Sequence, residues 1–256
     1  KKEAAQASDL CVDALLRSAD CQFILKKYAD ALKLYEKASK QPGKPFPDYT
    51  AYQLGATYYR LSKYQDAIEN LKIVADQYKQ SPYRDEALNQ MGEIYLTWLT
   101  DYENAAKSSQ KLIAEYPKSR FLPNAYNRLG IASYNSKNEK AAIQYFKTTL
   151  MEYGLEGEAV KVALDGINTI VTEKEYDEIY AQYRQKYPNG NPALEELTFT
   201  TARDRYYAEN YESALRQMNE YVREYPNGKY TSEVLTLRAE LFEKQNKLEE
   251  ALADWK

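Results

Sequence analysis

One small residue returns along this chain at an almost fixed interval. Ala19, Gly55, Gly92, Gly130, Gly166, Ala202 and Ala239 are 36, 37, 38, 36, 36 and 37 residues apart. A second small residue follows 12 or 13 positions after each: Ala31, Ala67, Ala105, Ala142, Ala214 and Ala251, with Ile179 in the fifth place. The stretch from Asp48 to Pro82 shows what is being repeated. Ala51, Leu54, Gly55 and Tyr58 recur at helical spacing, a polar break follows at Ser62-Lys63, and Tyr64, Ala67, Ile68, Leu71 and Val74 mark a second apolar stripe. A small residue on each facing side lets two helix axes approach at the close end of the packing range. Neither helix can bury its stripe alone. A fixed period of helix pairs predicts a solenoid, in which each pair covers the next.

Tyrosine marks the ends of the second helices. Tyr28, Tyr64, Tyr102, Tyr176 and Tyr211 open them, Leu248 holds the same place, and Glu139 is the exception. Tyr78, Tyr116, Tyr153, Tyr187 and Tyr225 close them, at spacings of 38, 37, 34 and 38. These account for many of the 26 tyrosines and read as amphipathic plugs whose hydroxyls reach water.

Leu54-Gly55 with Tyr58, followed by Tyr64, Ala67, Leu71 and Val74, resembles the tetratricopeptide repeat. The resemblance runs essentially the whole chain: strong over 48–153, good over 12–40 and 195–256, poor over 155–190. The usual period of that family is 34 residues. This chain runs two to four longer, with the excess in links around Tyr116-Pro117, Tyr187-Pro188 and Tyr225-Pro226. That long-linked form is similar to envelope repeat proteins of Gram-negative bacteria, including lipoproteins that help assemble outer-membrane barrels. The resemblance implies an all-α fold, a right-handed α-solenoid of about seven stacked helix-turn-helix repeats forming one array over 1–256. The repeats fall at 12–47, 48–84, 85–122, 123–158, 159–194 (degenerate), 195–231 and 232–256 (incomplete). Both ends read as cut from a longer array. The envelope resemblance implies a periplasmic or outer-membrane-associated setting, with a cytoplasmic one left open.

The repeats are not equal. Residues 1–10 read as helix running into the first pair, which turns near Lys26-Lys27. The link Gln41 to Pro47 holds three prolines and cannot be helical, and its Gly43-Lys44 lacks the spacing of a phosphate loop. The third pair has one extra residue: Tyr95 to Tyr102 is seven positions against six from Tyr58 to Tyr64, and Trp98 sits in that turn. Residues 154–190 contain Gly154 and Gly157 and a β-branched richness that helices mildly disfavour. With Ile179 in place of the small contact residue, the helices of this fifth pair are expected to lie further apart. In the sixth, Thr198, Thr201 and Arg205 hold slots that are apolar elsewhere, so Arg205 must snorkel or pair.

The net charge of −3 and pI near 5.4 argue against nucleic acid or an anionic membrane surface as partner. No apolar run approaches the ~20 residues needed to span a bilayer. Histidine is absent, which removes the commonest general base and metal ligand. Cys11 and Cys21 lie ten residues apart. On one helix they are ~15 Å apart, too far for a disulfide, and they read as small buried hydrophobes. The many carboxylates alternate with lysines, the pattern of solvated helix faces. With no catalytic site visible, no cofactor or metal is expected, and the chain reads as a non-enzyme.

A further set of residues lies one step off the core face of the first helices: Tyr52, Tyr59 and Arg60, then Asn89, Glu93 and Leu96, then Asn127, Ile131, Tyr134 and Asn135. The family resemblance places this phase on the concave groove where partners bind, and exposed Tyr, Asn and Arg make good contact residues. Ordinary surface tyrosines in a tyrosine-rich chain would look the same. The carboxylate clamp of chaperone-binding relatives is missing, with Glu93 in its place, so an acidic C-terminal peptide is a poor candidate ligand. The expected function is a protein-interaction scaffold or adaptor that takes a protein or extended peptide through this groove. A structural spacer with no groove ligand is the alternative.

Overall fold

The computed structural model describes residues 2–41, 46–155, 157–188 and 192–256, without the side chains of 2–8, 192 and 193. The middle of the Gln41–Pro47 link, with Gly43-Lys44, and Asn189-Gly190 of the later link lie outside the described residues. Among the described residues the fold is all-α, in seven helix pairs. They are α1 (Lys2–Ile24) with α2 (Tyr28–Ser39), α3 (Pro47–Arg60) with α4 (Tyr64–Gln77), α5 (Arg84–Glu93) with α6 (Tyr102–Glu115), and α7 (Leu122–Asn135) with α8 (Glu139–Glu152). Then come α9 (Gly157–Ile170) with α10 (Glu173–Lys186), α11 (Pro192–Tyr207) with α12 (Tyr211–Glu224), and α13 (Thr231–Lys244) with α14 (Leu248–Asp254). The chain divides into two compact units, Lys1–Tyr145 and Phe146–Lys256.

In the first unit α1 packs along α2, α3 along α4 and α5 along α6. Gly55 does what its spacing predicts: a Cβ there would lie 2.7 Å from Leu71 Cγ and 3.3 Å from the Ala67 carbonyl, so α3 and α4 touch closely at this point. Gly92 has a different neighbour. The space beside it is filled by Arg128 of α7, whose Nε would stand 2.8 Å from a Cβ. The helices of a pair are joined by short turns with one left-handed residue: Lys26, Ser62, Thr100 and Lys137 in this unit, with φ between 49° and 62°. The extra residue of the third pair is absorbed in a single π turn, Ile94–Trp98, that ends the first helix; the Leu99 N–H donates five residues back to the Ile94 carbonyl at 3.1 Å. Trp98 then stacks on Tyr64 with ring centroids 4.8 Å apart. Pro47, assigned to the link by sequence, instead opens α3, where its missing N–H costs nothing.

The second unit contains the odd pair. Glu209 and Asn246 supply the left-handed turn residue of the sixth and seventh pairs, whereas the turn between α9 and α10 is built on a capping box. Thr172 accepts from the Glu175 N–H, and Glu175 accepts from the Thr172 N–H at 3.0 Å. This cap starts α10 at Glu173, so Tyr176 lies inside the helix and is buried rather than opening it. Tyr176, Ile179, Tyr180 and Tyr183 form the buried stripe. As the isoleucine predicts, α10 approaches α9 at only a few residues, and α9 sits closer to α11. Gly166 makes room for the Phe146 ring of α8. Arg205 finds Asn168 at 3.3 Å and Glu173 at 3.4 Å.

Two readings need correction. Cys11 and Cys21 are free and exposed: the apolar face of α1 runs through Val12, Leu16 and Ala19 and leaves both thiols outside it. The closing tyrosines do cap their helices at Tyr78, Tyr116, Tyr187 and Tyr225, but the hydroxyls of Tyr116, Tyr187 and Tyr225 turn inward. The Tyr187 hydroxyl donates to the Met151 carbonyl at 2.8 Å, Tyr116 accepts from Arg84 at 3.1 Å, and the Tyr225 hydroxyl is buried.

Candidate functional site

The first-helix face of the second to fourth repeats lies within the first unit, on α3, α5 with its π turn, and α7. The residues expected there separate into two groups. Tyr52, Asn89 and Asn127 are buried. Tyr59 and Glu93 are half-buried, and Arg60, Tyr134 and Asn135 are exposed.

The buried and half-buried group ties one repeat to the next. Tyr52 stacks on Tyr83 at 5.4 Å, and burial, with a contact to Glu86, pushes its hydroxyl far above the ordinary phenol range. The Tyr59 hydroxyl donates to Glu93 at 2.8 Å, and burial followed by that bond raises its pKa too. Tyr206 donates to Glu240 at 2.6 Å across the same separation of 34 residues. In both cases the tyrosine stands four places after the small residue of its first helix, and the glutamate one place after the next small residue. Asn89 accepts from Arg128 Nη2 at 2.7 Å. An expectation that all eight side chains form an open contact surface is therefore corrected for Tyr52, Asn89 and Asn127, which are buried; Tyr52 and Asn89 reach the next repeats through Tyr83 and Arg128.

Arg128 was not visible as a special residue from its sequence. It is 6% exposed, donates from Nε to Ser109 at 3.1 Å, and has Glu93 as the carboxylate favouring its charge. Burial outweighs that attraction and lowers its pKa to about 10, so the guanidinium stays charged at neutral pH. Arg84 is another: at 2% exposure it donates to the Ala75 carbonyl at 2.7 Å and pairs with Glu115, clamping α4, α5 and α6 together.

What remains accessible lies in two places, around Tyr59 on α3 and at Tyr134 and Asn135 on α7. Arg60 lies 5.7 Å over the Tyr59 ring, Tyr59 and Tyr64 rings are 6.2 Å apart, and Trp98 covers Tyr64. Tyr134 and Asn135 hold, on α7, the places that Tyr59 and Arg60 hold on α3. Tyr134 is 38% exposed. Its counterparts Tyr59 and Tyr206 each have a glutamate one repeat on, whereas the corresponding residue after Tyr134 is Ile167. Among the described residues no cluster of His, Cys, Asp and Glu could hold a metal ion, and no helix is long and apolar enough to cross a membrane.

Sequence profiles of the tetratricopeptide repeat match residues 2–45 and 199–255, and a second profile of the same repeat matches 49–81 and 86–119. No curated protein matches the chain significantly. Several solved structures share the fold. The C-terminal part of a TPR repeat-containing protein from Cytophaga hutchinsonii is 17% identical with a TM-score of 0.64, covering 94% of this chain and 92% of that one. A tetratricopeptide repeat protein from Parabacteroides merdae is 17% identical with a TM-score of 0.58, covering 95% and 90%. A MamA protein is 20% identical with a TM-score of 0.57, covering 68% and 91%.

Proposed function

This chain belongs to the tetratricopeptide repeat family, and from that premise we propose that it is a non-enzymatic protein-interaction module that takes an extended peptide on the first-helix face of its second to fourth repeats. Such repeats generally bind proteins or peptides. One observation carries the reading: Tyr134 and Asn135 are exposed at places where, in other repeats, the equivalent tyrosine is spent on a neighbouring glutamate. Tyrosine offers large contact area at low entropy cost, and an asparagine amide can pair with an extended backbone. Arg60 and Trp98 extend the accessible set toward α3. We also propose an envelope setting, on the length of the inter-repeat links alone; fractionation of the native cell tests it.

A photo-crosslinking side chain placed at Tyr134 or Arg60 in the native host should give the same partner adduct, and one at Lys107, exposed on α6, should give none. Tyr134→Ala should then remove the adduct formed at Arg60 without lowering the melting temperature. Tyr59→Ala is not a clean probe, because it breaks the Glu93 bond and loosens the seam. If neither position gives an adduct, the spacer reading replaces this one. It draws support from Tyr52, Tyr59, Asn89 and Glu93, which are already used in repeat-to-repeat contacts.

A further inference from the structure

Tyr206 with Tyr211, Tyr59 with Tyr64, and Tyr49 with Tyr83 form corners of nearly the same shape. Their ring centroids are 5.9, 6.2 and 5.3 Å apart, and their rings meet at 59°, 54° and 53°. The chain supplies a cation to the first two. Lys244 Nζ lies 4.7 Å over Tyr206 and 4.8 Å over Tyr211, and Arg60 lies 5.7 Å over Tyr59. The negative faces of the rings draw a cation to such a place. The third corner draws none from the described residues, although it has the same geometry.

That corner opens onto a pocket of about 310 Å³, where α1 and α3 meet the Pro82-Tyr83 entry to α5. Phe46, 53% exposed, adds a third ring to the wall. The tyrosines are held in place: the Tyr49 hydroxyl donates to Asp20 at 2.6 Å and accepts from Gln53 at 2.8 Å, and Tyr83 stacks on Tyr52. A bound group would not have to order them. Asp13 and Asp48 line the same pocket, together with Arg17. Arg17 is exposed and spans Asp13 and Asp20 at 3.4 Å each, surface contacts that are worth little. Asp48, in the first turn of α3, has no ion pair among the described residues. One cation thus faces three carboxylates, and the pocket keeps an excess of negative charge. Its walls are within reach of a ligand: Phe46 is exposed, and Asp13, Asp48, Tyr49 and Tyr83 are half-buried.

We propose that this pocket takes an arginine side chain from an extended peptide of a protein partner. A guanidinium is flat and weakly hydrated, so it can lie against a tyrosine ring while its N–H groups donate to a carboxylate. Asp48 supplies that carboxylate, and Asp13 can exchange its contact with Arg17 for the incoming group. The choice of an extended peptide as carrier rests on the reading of the first helices given above. What is added is the side chain that such a peptide presents at α1 and α3.

The test is an NMR titration of the isotope-labelled full chain with acetyl-Gly-Ala-Arg-Ala-Gly-amide. The peptide should bind saturably with Kd of about 1 mM or tighter, and should shift the amides of Phe46, Tyr49 and Tyr83. The same peptide with citrulline, which keeps the shape of arginine and loses its charge, should bind at least about tenfold more weakly. Asp48→Asn should weaken the arginine peptide at least about threefold, and so should Phe46→Leu, which keeps apolar bulk and removes the ring. Asp66→Asn, the same change in the exposed first turn of α4, should leave its affinity unaltered, as should Tyr134→Ala. An unchanged melting temperature keeps each variant interpretable. The proposal is overturned if the peptide gives no saturable binding, if the citrulline peptide binds as tightly, or if Asp66→Asn or Tyr134→Ala weakens binding as much as Asp48→Asn. Binding here without partner adducts at Tyr134 and Arg60 would remove the reading of the second to fourth repeats and leave the pocket. The reverse pair of results would remove the pocket alone.

Discussion

α4 and α10 hold the same place in their repeats and are packed in opposite ways. α4 buries Ala67, Ile68, Leu71, Val74 and Ala75, lies along α3, and enters from a turn held by the left-handed Ser62. α10 buries Tyr176, Ile179, Tyr180 and Tyr183, stands off from α9, and enters from the Thr172 capping box. The tyrosines line up along the helix, with Tyr176–Tyr180 and Tyr180–Tyr183 centroids 6.1 and 6.4 Å apart. Axis separation follows the bulk of the side chains between two helices, so replacing an alanine and leucine stripe by tyrosines widens the pair. The family period is preserved across 154–190 even though the contact that defines it is not. A solenoid tolerates this because each pair also leans on its sequence neighbours.

The comparison breaks first at the cores. Leu71→Ala should cost about 2–5 kcal/mol in chemical denaturation, because the site is fully buried between close helices. Ile179→Ala, though also buried, should fall at or below the low end of that range, since α10 meets α9 at only a few residues. Equal losses would mean that the two pairs are equally tight.

Gly92→Leu should cost about 1–3 kcal/mol by overpacking. The first group displaced is Arg128, not the facing helix α6, so the cost should not add to that of Arg128→Ala in a double-mutant cycle. Additive losses would place the clash elsewhere.

Glu220 makes the second unit pH-sensitive where the first has no comparable carboxylate among its described residues. Its folded pKa lies near 7 and its ordinary value is 4.5, so the folded state holds the proton over that window and the unfolded chain does not. Stability should fall as pH rises from about 4.5 to 7, by up to ~2 kcal/mol after solvent screening, and Glu220→Gln should flatten the curve. A variant with the wild-type pH profile would remove Glu220 as the cause.

The smallest effects lie in the turns, and they should have opposite signs. Ser62→Gly relieves a left-handed residue with φ 58° and should stabilise by a few tenths to about 1 kcal/mol once the added freedom of the unfolded chain is subtracted. Thr172→Ala removes a cap and should destabilise by about 1 kcal/mol. Thermal melts of the two variants moving in the same direction would erase the distinction between the turns.

The helix pairs, the family and the oddness of the fifth repeat follow from spacing alone, because burying one stripe per helix forces a period that any reader of the chain can count. Ile179 announced a wider pair, and the extra residue before Tyr102 announced an altered turn, though not that a π turn would absorb it. The candidate site was half legible. Helical phase placed Tyr59 and Tyr134 in equivalent positions, but Tyr59 is half-buried on Glu93, 34 places further on, which becomes its neighbour only once the helices stack, whereas Tyr134 is exposed. Arg84 and Arg128 belong to the same class: a guanidinium reads as surface until a neighbouring repeat closes over it and supplies its acceptors. The raised carboxyl of Glu220 is likewise a product of packing, since one carboxylate among 38 acidic residues stands out only when every nearby arginine has been claimed by another. Local periodicity is encoded residue by residue, whereas burial and charge pairing are decided between helices far apart in the chain.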